Sequence, residues 1–87
     1  MKVHNSALRH GIVRGDAIRV AQYPLWVDFL DEESPSRQLR LGFDTKGRML
    51  ETVVLVFDSG DELIIHAMKI RASVLELIPP ELLNREY

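Results

Sequence analysis

Hydrophobic and polar residues alternate along residues 37–43. Leu39, Leu41 and Phe43 fall on one side, and Gln38, Arg40 and Gly42 on the other. This is the period of a β-strand with unequal faces. Residues 49–57 are the most apolar stretch of the chain, residues 62–69 form another strand-like run, and residues 25–30, rich in aromatic and β-branched types, make a fourth candidate. Asp44-Thr45-Lys46-Gly47 and Asp58-Ser59-Gly60-Asp61 are turns. A polar, acidic loop over residues 31–36 precedes the first long strand. The central hairpin therefore runs from Met49 to Lys69.

Shorter helical segments flank these strands. Residues 5–10 predict a helix capped by Asn5 or Ser6 and ended by Gly11. Residues 16–22 predict a second, with Asp16 as N-cap and Ile18, Val20 and Ala21 on its apolar side. Tyr23-Pro24 closes it, because a residue before proline avoids the helical region. A last helix is expected over residues 72–78. Pro79-Pro80 then interrupts it, and the tail forms one more turn or frays. The pattern predicts an α+β fold in one domain, residues 1–87: two short N-terminal helices, an antiparallel meander sheet of three to four strands and a short C-terminal helix.

Turn lengths set the register, and the register sorts side chains between faces. A two-residue loop at Ser59-Gly60 puts Phe57 opposite Glu62, Val53 opposite His66 and Glu51 opposite Met68. A four-residue loop over residues 44–47 puts Arg40 opposite Glu51 and Leu41 opposite Leu50. One face then carries Leu39, Leu41, Leu50, Val54 and Ala67 and is the expected core. The other is mixed and carries Arg40, Glu51 and His66. A slip of one residue in either hairpin moves charges into the core.

Composition bounds the chemistry. The chain has 87 residues and no cysteine, which excludes disulfides and thiolate chemistry. The start, from Met1 to Ser6, lacks the apolar run of a signal peptide, and no stretch nears the ~18 apolar residues of a membrane span, so a cytoplasmic location with no membrane contact is expected. A net charge of −2 argues against a strongly cationic surface. A local basic rim is still available if Arg37, Arg40, Lys46, Arg48, Lys69, Arg71 and Arg85 converge. His4 and His10 are six apart in sequence, not the helical three or four, so neither a metal nor another cofactor is expected. Tyr23 and Trp26 flank Pro24 as core packing or as a patch that a partner covers.

The mixed face suggests a site. A guanidinium, a carboxylate and an imidazole on one sheet face can bind a phosphate and move a proton. The alternative is a cross-strand Arg–Glu pair on a solvated sheet. The order of short motifs carries a further suggestion. Arg9-His10-Gly11-Ile12, Arg40-Leu41-Gly42, the run from Gly47 to Val54, and Ile64-Ile65-His66-Ala67-Met68 resemble the BrnT-like toxins of the RelE/ParE-like group, over residues 4–78. The resemblance implies a ribonuclease that stops translation, with cognate antitoxin and RNA, including ribosome-bound mRNA, as partners. It also implies assembly as a homodimer or as a heterotetramer with the antitoxin. Glu51, His66, Arg40 and Arg71 become the expected catalytic residues. Arg37, Lys46, Arg48 and Lys69 become the expected RNA-binding residues. The last strand of such proteins usually reads Ile-Ile-Ser-Ala-Arg; here His66 stands at the serine and Met68 at the arginine, so one expected cation is missing unless Lys69 or Arg71 replaces it. Two other functions fit the same chain: a non-catalytic protein-binding module of this fold and a DNA-binding regulator. The N-terminal helices are short and weakly charged for the latter.

Overall fold

The structure is a computed structural model and describes residues 1–83. Its elements are β1 (Lys2–Val3), a 3-10 helix (Asn5–Leu8), α1 (Arg14–Gln22), β2 (Trp26–Phe29), β3 (Ser36–Phe43), β4 (Met49–Val56), β5 (Glu62–Lys69), α2 (Ala72–Leu75) and α3 (Pro80–Leu83). One sheet holds all five strands in the order β1-β5-β4-β3-β2. Neighbours from β2 to β5 pair antiparallel, whereas β1 lies parallel to β5 through Lys2↔Leu63 and Val3↔Ile64. The expected sheet of three to four antiparallel strands is thus a mixed sheet of five. A strand of two residues carries no period, so pattern alone does not reveal β1.

The helices are shorter or shifted. The first segment is a 3-10 helix capped by the His4 ring, whose Nδ1 accepts the Ser6 N–H at 3.0 Å. The helix α1 starts two residues before Asp16, with Val13 as its cap. Asp16 is not the cap but sits in the first turn, where a carboxylate suits the helix dipole. It accepts the Thr45 hydroxyl at 3.0 Å. The helix expected over residues 72–78 ends at Leu75, and a separate turn of helix, α3, follows Pro79.

Both hairpin loops differ from expectation by one residue, and for the same reason. The Asp44 N–H donates to the Arg48 carbonyl, and the Phe57 N–H to the Asp61 carbonyl, each at 2.9 Å. Each loop therefore has three residues and ends on a glycine in the left-handed region: Gly47 at φ 78° and Gly60 at φ 91°. The Asp44 carboxylate secures the first loop by accepting the N–H groups of Lys46 and Arg48, both at 2.8 Å.

The consequences diverge. In the β3–β4 hairpin the shift stands: Leu41 faces Glu51 and Arg40 faces Thr52, not Glu51. In the β4–β5 hairpin Glu62 faces Val56 rather than Phe57. A bulge between Val53 and Val54 then leaves Ile65 as an extra residue on β5. The bulge cancels the loop's shift, so Val53 faces His66 and Glu51 faces Met68, as predicted.

The slip of β3 against β4 redistributes the core. Leu50, Val54, Ile64 and Ala67 pack with Ala17, Val20 and Ala21 of α1 and with Val3, Ala7 and Ile12. Leu39 and Leu41 belong to the opposite face. There they pack with Trp26, Val53, Ile70, Val74, Leu75, Ile78 and Leu82. Phe43, expected in the core, is exposed. The sheet therefore has two covered faces rather than one core face and one mixed face, and the chain forms three layers.

Candidate functional site

Glu51 is fully buried on the sheet face away from α1. A buried carboxylate is unfavourable unless it is paired and hydrogen-bonded, and this one is. Its Oε2 accepts the Arg71 backbone N–H at 3.0 Å. Arg71 Nε lies 3.2 Å from both oxygens, and Nη2 donates to Oε1 at 2.7 Å. His66 Nε2 lies 2.9 Å from Oε1. Burial pushes the Glu51 carboxyl up. The side-chain and backbone hydrogen bonds from Arg71, the bond from His66 and the Arg71 charge outweigh it and hold Glu51 below the ordinary carboxylate range. The hydrogen bond to Glu51 and its charge raise the Arg71 guanidinium in turn.

Local structure explains why Arg71 arrives here. It is the N-cap of α2 and has extended backbone, at φ −83° and ψ 151°. Its N–H is one of the unpaired groups at a helix start, and Glu51 takes it. Its side chain remains 58% exposed. Arg71 therefore spans from the buried carboxylate to solvent.

The Glu51 charge also settles the His66 tautomer. An ionised carboxylate only accepts hydrogen bonds, so Nε2 carries the hydrogen. In the neutral ring Nδ1 is then free to take a proton. The His66 side chain is 27% exposed. Its ring meets the ring of His10 edge-on, with centroids 5.6 Å apart and planes at 68°. His10 is exposed and sits in the turn before α1. The 3-10 helix behind it is tied to β5: the His4 N–H donates to the Ile64 carbonyl at 2.8 Å, and Ser6 Oγ to the Ile65 carbonyl at 2.6 Å. Ile65 is the bulge residue.

The other expected site residues do not join this cluster. Arg40 is on the α1 face of the sheet. Its guanidinium donates to Glu62 at 3.0 and 2.6 Å, to Gln38 at 3.1 and 2.9 Å, and to the Ala21 carbonyl at 2.9 Å. The side-chain hydrogen bond from Arg40 holds Glu62 below the ordinary range against the opposing effect of burial. Arg40 is therefore a structural cation, not part of the Glu51–His66 site. Arg37 pairs with Asp31 at 2.7 Å at the start of β3, and Arg48 pairs with Asp44 at 2.7 Å beyond its end. Lys46 is exposed in the loop between β3 and β4, and Lys69 is exposed at the end of β5. Arg37 is thus at the opposite end of the sheet from Lys46, Arg48 and Lys69, and the basic rim does not form as one patch. Arg85 lies outside the described residues.

Three of the four expected catalytic residues thus converge: Glu51, His66 and Arg71. His10 is the addition. Its spacing from His4 bears only on metal ligation, and nothing local brings position 10 beside position 66. The parallel pairing of β1 with β5 does so. Among the described residues no group of three or more His, Cys, Asp or Glu side chains is arranged to hold a metal ion. No described helix is long and apolar enough to cross a membrane. Comparisons with protein families, curated proteins and solved structures find no match.

Proposed function

We propose that the chain is the toxin of a type II toxin–antitoxin pair, of BrnT-like kind within the RelE/ParE-like group, and that it cleaves RNA without a metal. The observation that carries this reading is the His66 ring, fixed at Nε2 by a buried, ionised Glu51 and presented beside a half-exposed arginine. Metal-free cleavage of a phosphodiester needs a base for the 2′-hydroxyl proton, a cation for the charge that develops on phosphorus, and an acid for the leaving oxygen. His66 Nδ1 is the base. Glu51 orients the ring and stabilises the imidazolium formed. Arg71 bonds Glu51 through its backbone N–H, Nε and Nη2, leaving Nη1 for a phosphate oxygen. Arg71 also supplies the cation that Met68 does not.

Expression without an antitoxin should arrest growth and deplete cellular RNA. The substitution His66→Ala should relieve the arrest and slow cleavage by purified protein at least about 100-fold. Growth unaffected by the wild-type chain, with RNA intact, would overturn the reading. A second reading, a non-catalytic protein-binding module, draws on a separate observation. Arg37, Arg40 and Arg48 are all engaged by carboxylates of the chain itself, while Tyr23, Phe29 and Leu30 are exposed at the β2 edge. It predicts a stable complex with a partner protein and no RNA cleavage.

A further inference from the structure

The metal-free reaction needs two proton carriers, and the Glu51–His66–Arg71 cluster holds one. We infer that His10 is the second: the catalytic acid that protonates the leaving 5′-oxygen, so that the site is a pair of imidazoles acting on one phosphodiester. This inference rests on the ribonuclease reading and adds a residue to it.

The geometry supplies the argument. Ring centroids 5.6 Å apart, with planes at 68°, put the two imidazoles edge to face in direct contact. A proton carrier works within hydrogen-bond reach, about 3 Å from the oxygen it serves. Two such reaches, from rings at this separation, span the attacking and leaving oxygens of one phosphorus. The rings are also unequal. The ionised Glu51 fixes the hydrogen of His66 on Nε2, so Nδ1 is the nitrogen with a lone pair to accept a proton. Among the described residues, His10 makes no hydrogen bond or ion pair, and its ring is exposed, so its nitrogens are open to a substrate oxygen. His66 is therefore the base and His10 the acid.

The step balances. The 2′-hydroxyl proton goes to His66 Nδ1 as the 2′-oxygen bonds to phosphorus. The bond from phosphorus to the 5′-oxygen breaks, and that oxygen takes a proton from His10. The products are a 2′,3′-cyclic phosphate and a 5′-hydroxyl. Proton exchange with water then restores both rings.

Local structure holds His10 in range. Ala7 and Ile12, on either side of it in sequence, are both buried in the core under α1. Gly11 between His10 and Ile12 adopts φ 77°, a conformation that lets the chain turn there without strain. The imidazole is the exposed end of an anchored turn.

A sulfur substitution separates acid from base. In a single-stranded oligoribonucleotide of mixed sequence whose bridging 5′-oxygens are replaced by sulfur, the leaving thiolate needs no proton. Wild-type protein should cleave the oxygen and sulfur substrates. His10→Ala should slow cleavage of the oxygen substrate about 100-fold yet leave the sulfur substrate nearly unaffected. His66→Ala should slow both. The variant His10→Gln should behave as His10→Ala, and thermal melts of both should match wild type, because the side chain is exposed. If His10→Ala slows both substrates equally, or slows neither, His10 is not the acid, and the ribonuclease reading stands on His66 alone. If wild-type protein cleaves neither substrate, the ribonuclease reading falls, and the role of His10 with it.

Discussion

Glu51→Ala is expected to cost about 2–4 kcal/mol of folding stability, read from urea denaturation. The carboxylate is fully buried and accepts hydrogen bonds from two residues on two elements. Its removal strands the Arg71 N–H at the start of α2, frees the His66 ring and opens a cavity beside Leu41. The cost stays below that of a fully buried pair because Arg71 is half exposed and rehydrates. A domain of this size holds roughly 5–15 kcal/mol in all, so the variant is expected to be marginal at 37 °C. A loss under about 1 kcal/mol would mean that the cluster is solvated and does not hold α2 to the sheet.

The same carboxylate predicts a pH dependence. Glu51 is held below its ordinary value of 4.5 in the folded chain, so the unfolded chain binds protons first as pH falls. Its contribution is therefore complete above that ordinary value and is lost as pH drops through 4.5 towards the folded value. Glu62 acts in the same direction through Arg40. In Glu51→Gln the fall in urea midpoint with acid should be shallower than in wild type, because one of the groups that drives it is gone. An unchanged slope would show that Glu51 does not contribute.

Arg40→Ala should separate stability from activity. The side chain is 11% exposed and satisfies Glu62, Gln38 and the end of α1 at Ala21. Its loss should cost about 2–3 kcal/mol, since packing, an ion pair and a bond to a helix-end carbonyl go together. RNA cleavage per folded molecule should not change, because Arg40 and His66 are on opposite faces of the sheet. The check is the urea midpoint beside the cleavage rate at a temperature where the variant is folded. Loss of cleavage at unchanged stability would return Arg40 to the working site. On the protein-binding reading, neither variant has an RNA phenotype, and only the stability results remain.

The contrast between Arg40 and Glu51 shows how far local pattern reaches. Alternation over residues 37–43 and the apolar run before Asp58 were enough for the strands, and β5 matches its expected bounds, Glu62–Lys69. Glycine after aspartate was enough for the two turns. Loop length was not, because one more residue in a hairpin is a matter of which carbonyl meets which N–H. Asp44 and Gly47 together select the three-residue loop. That single residue carried Arg40 through the sheet, away from Glu51. In the other hairpin the bulge at Ile65 reversed the shift, so the pairing of Glu51 with Met68 and of Val53 with His66 held.

The four longer strands, turn position and the presence of an acid, an imidazole and cations are therefore legible along the chain, since each depends on neighbours a few residues apart. Which of those groups meet was decided by contacts across the fold. Arg71 reaches Glu51 because the helix start after β5 turns back over the sheet. His10 reaches His66 because two N-terminal residues pair parallel to β5, a strand too short to carry a period of its own.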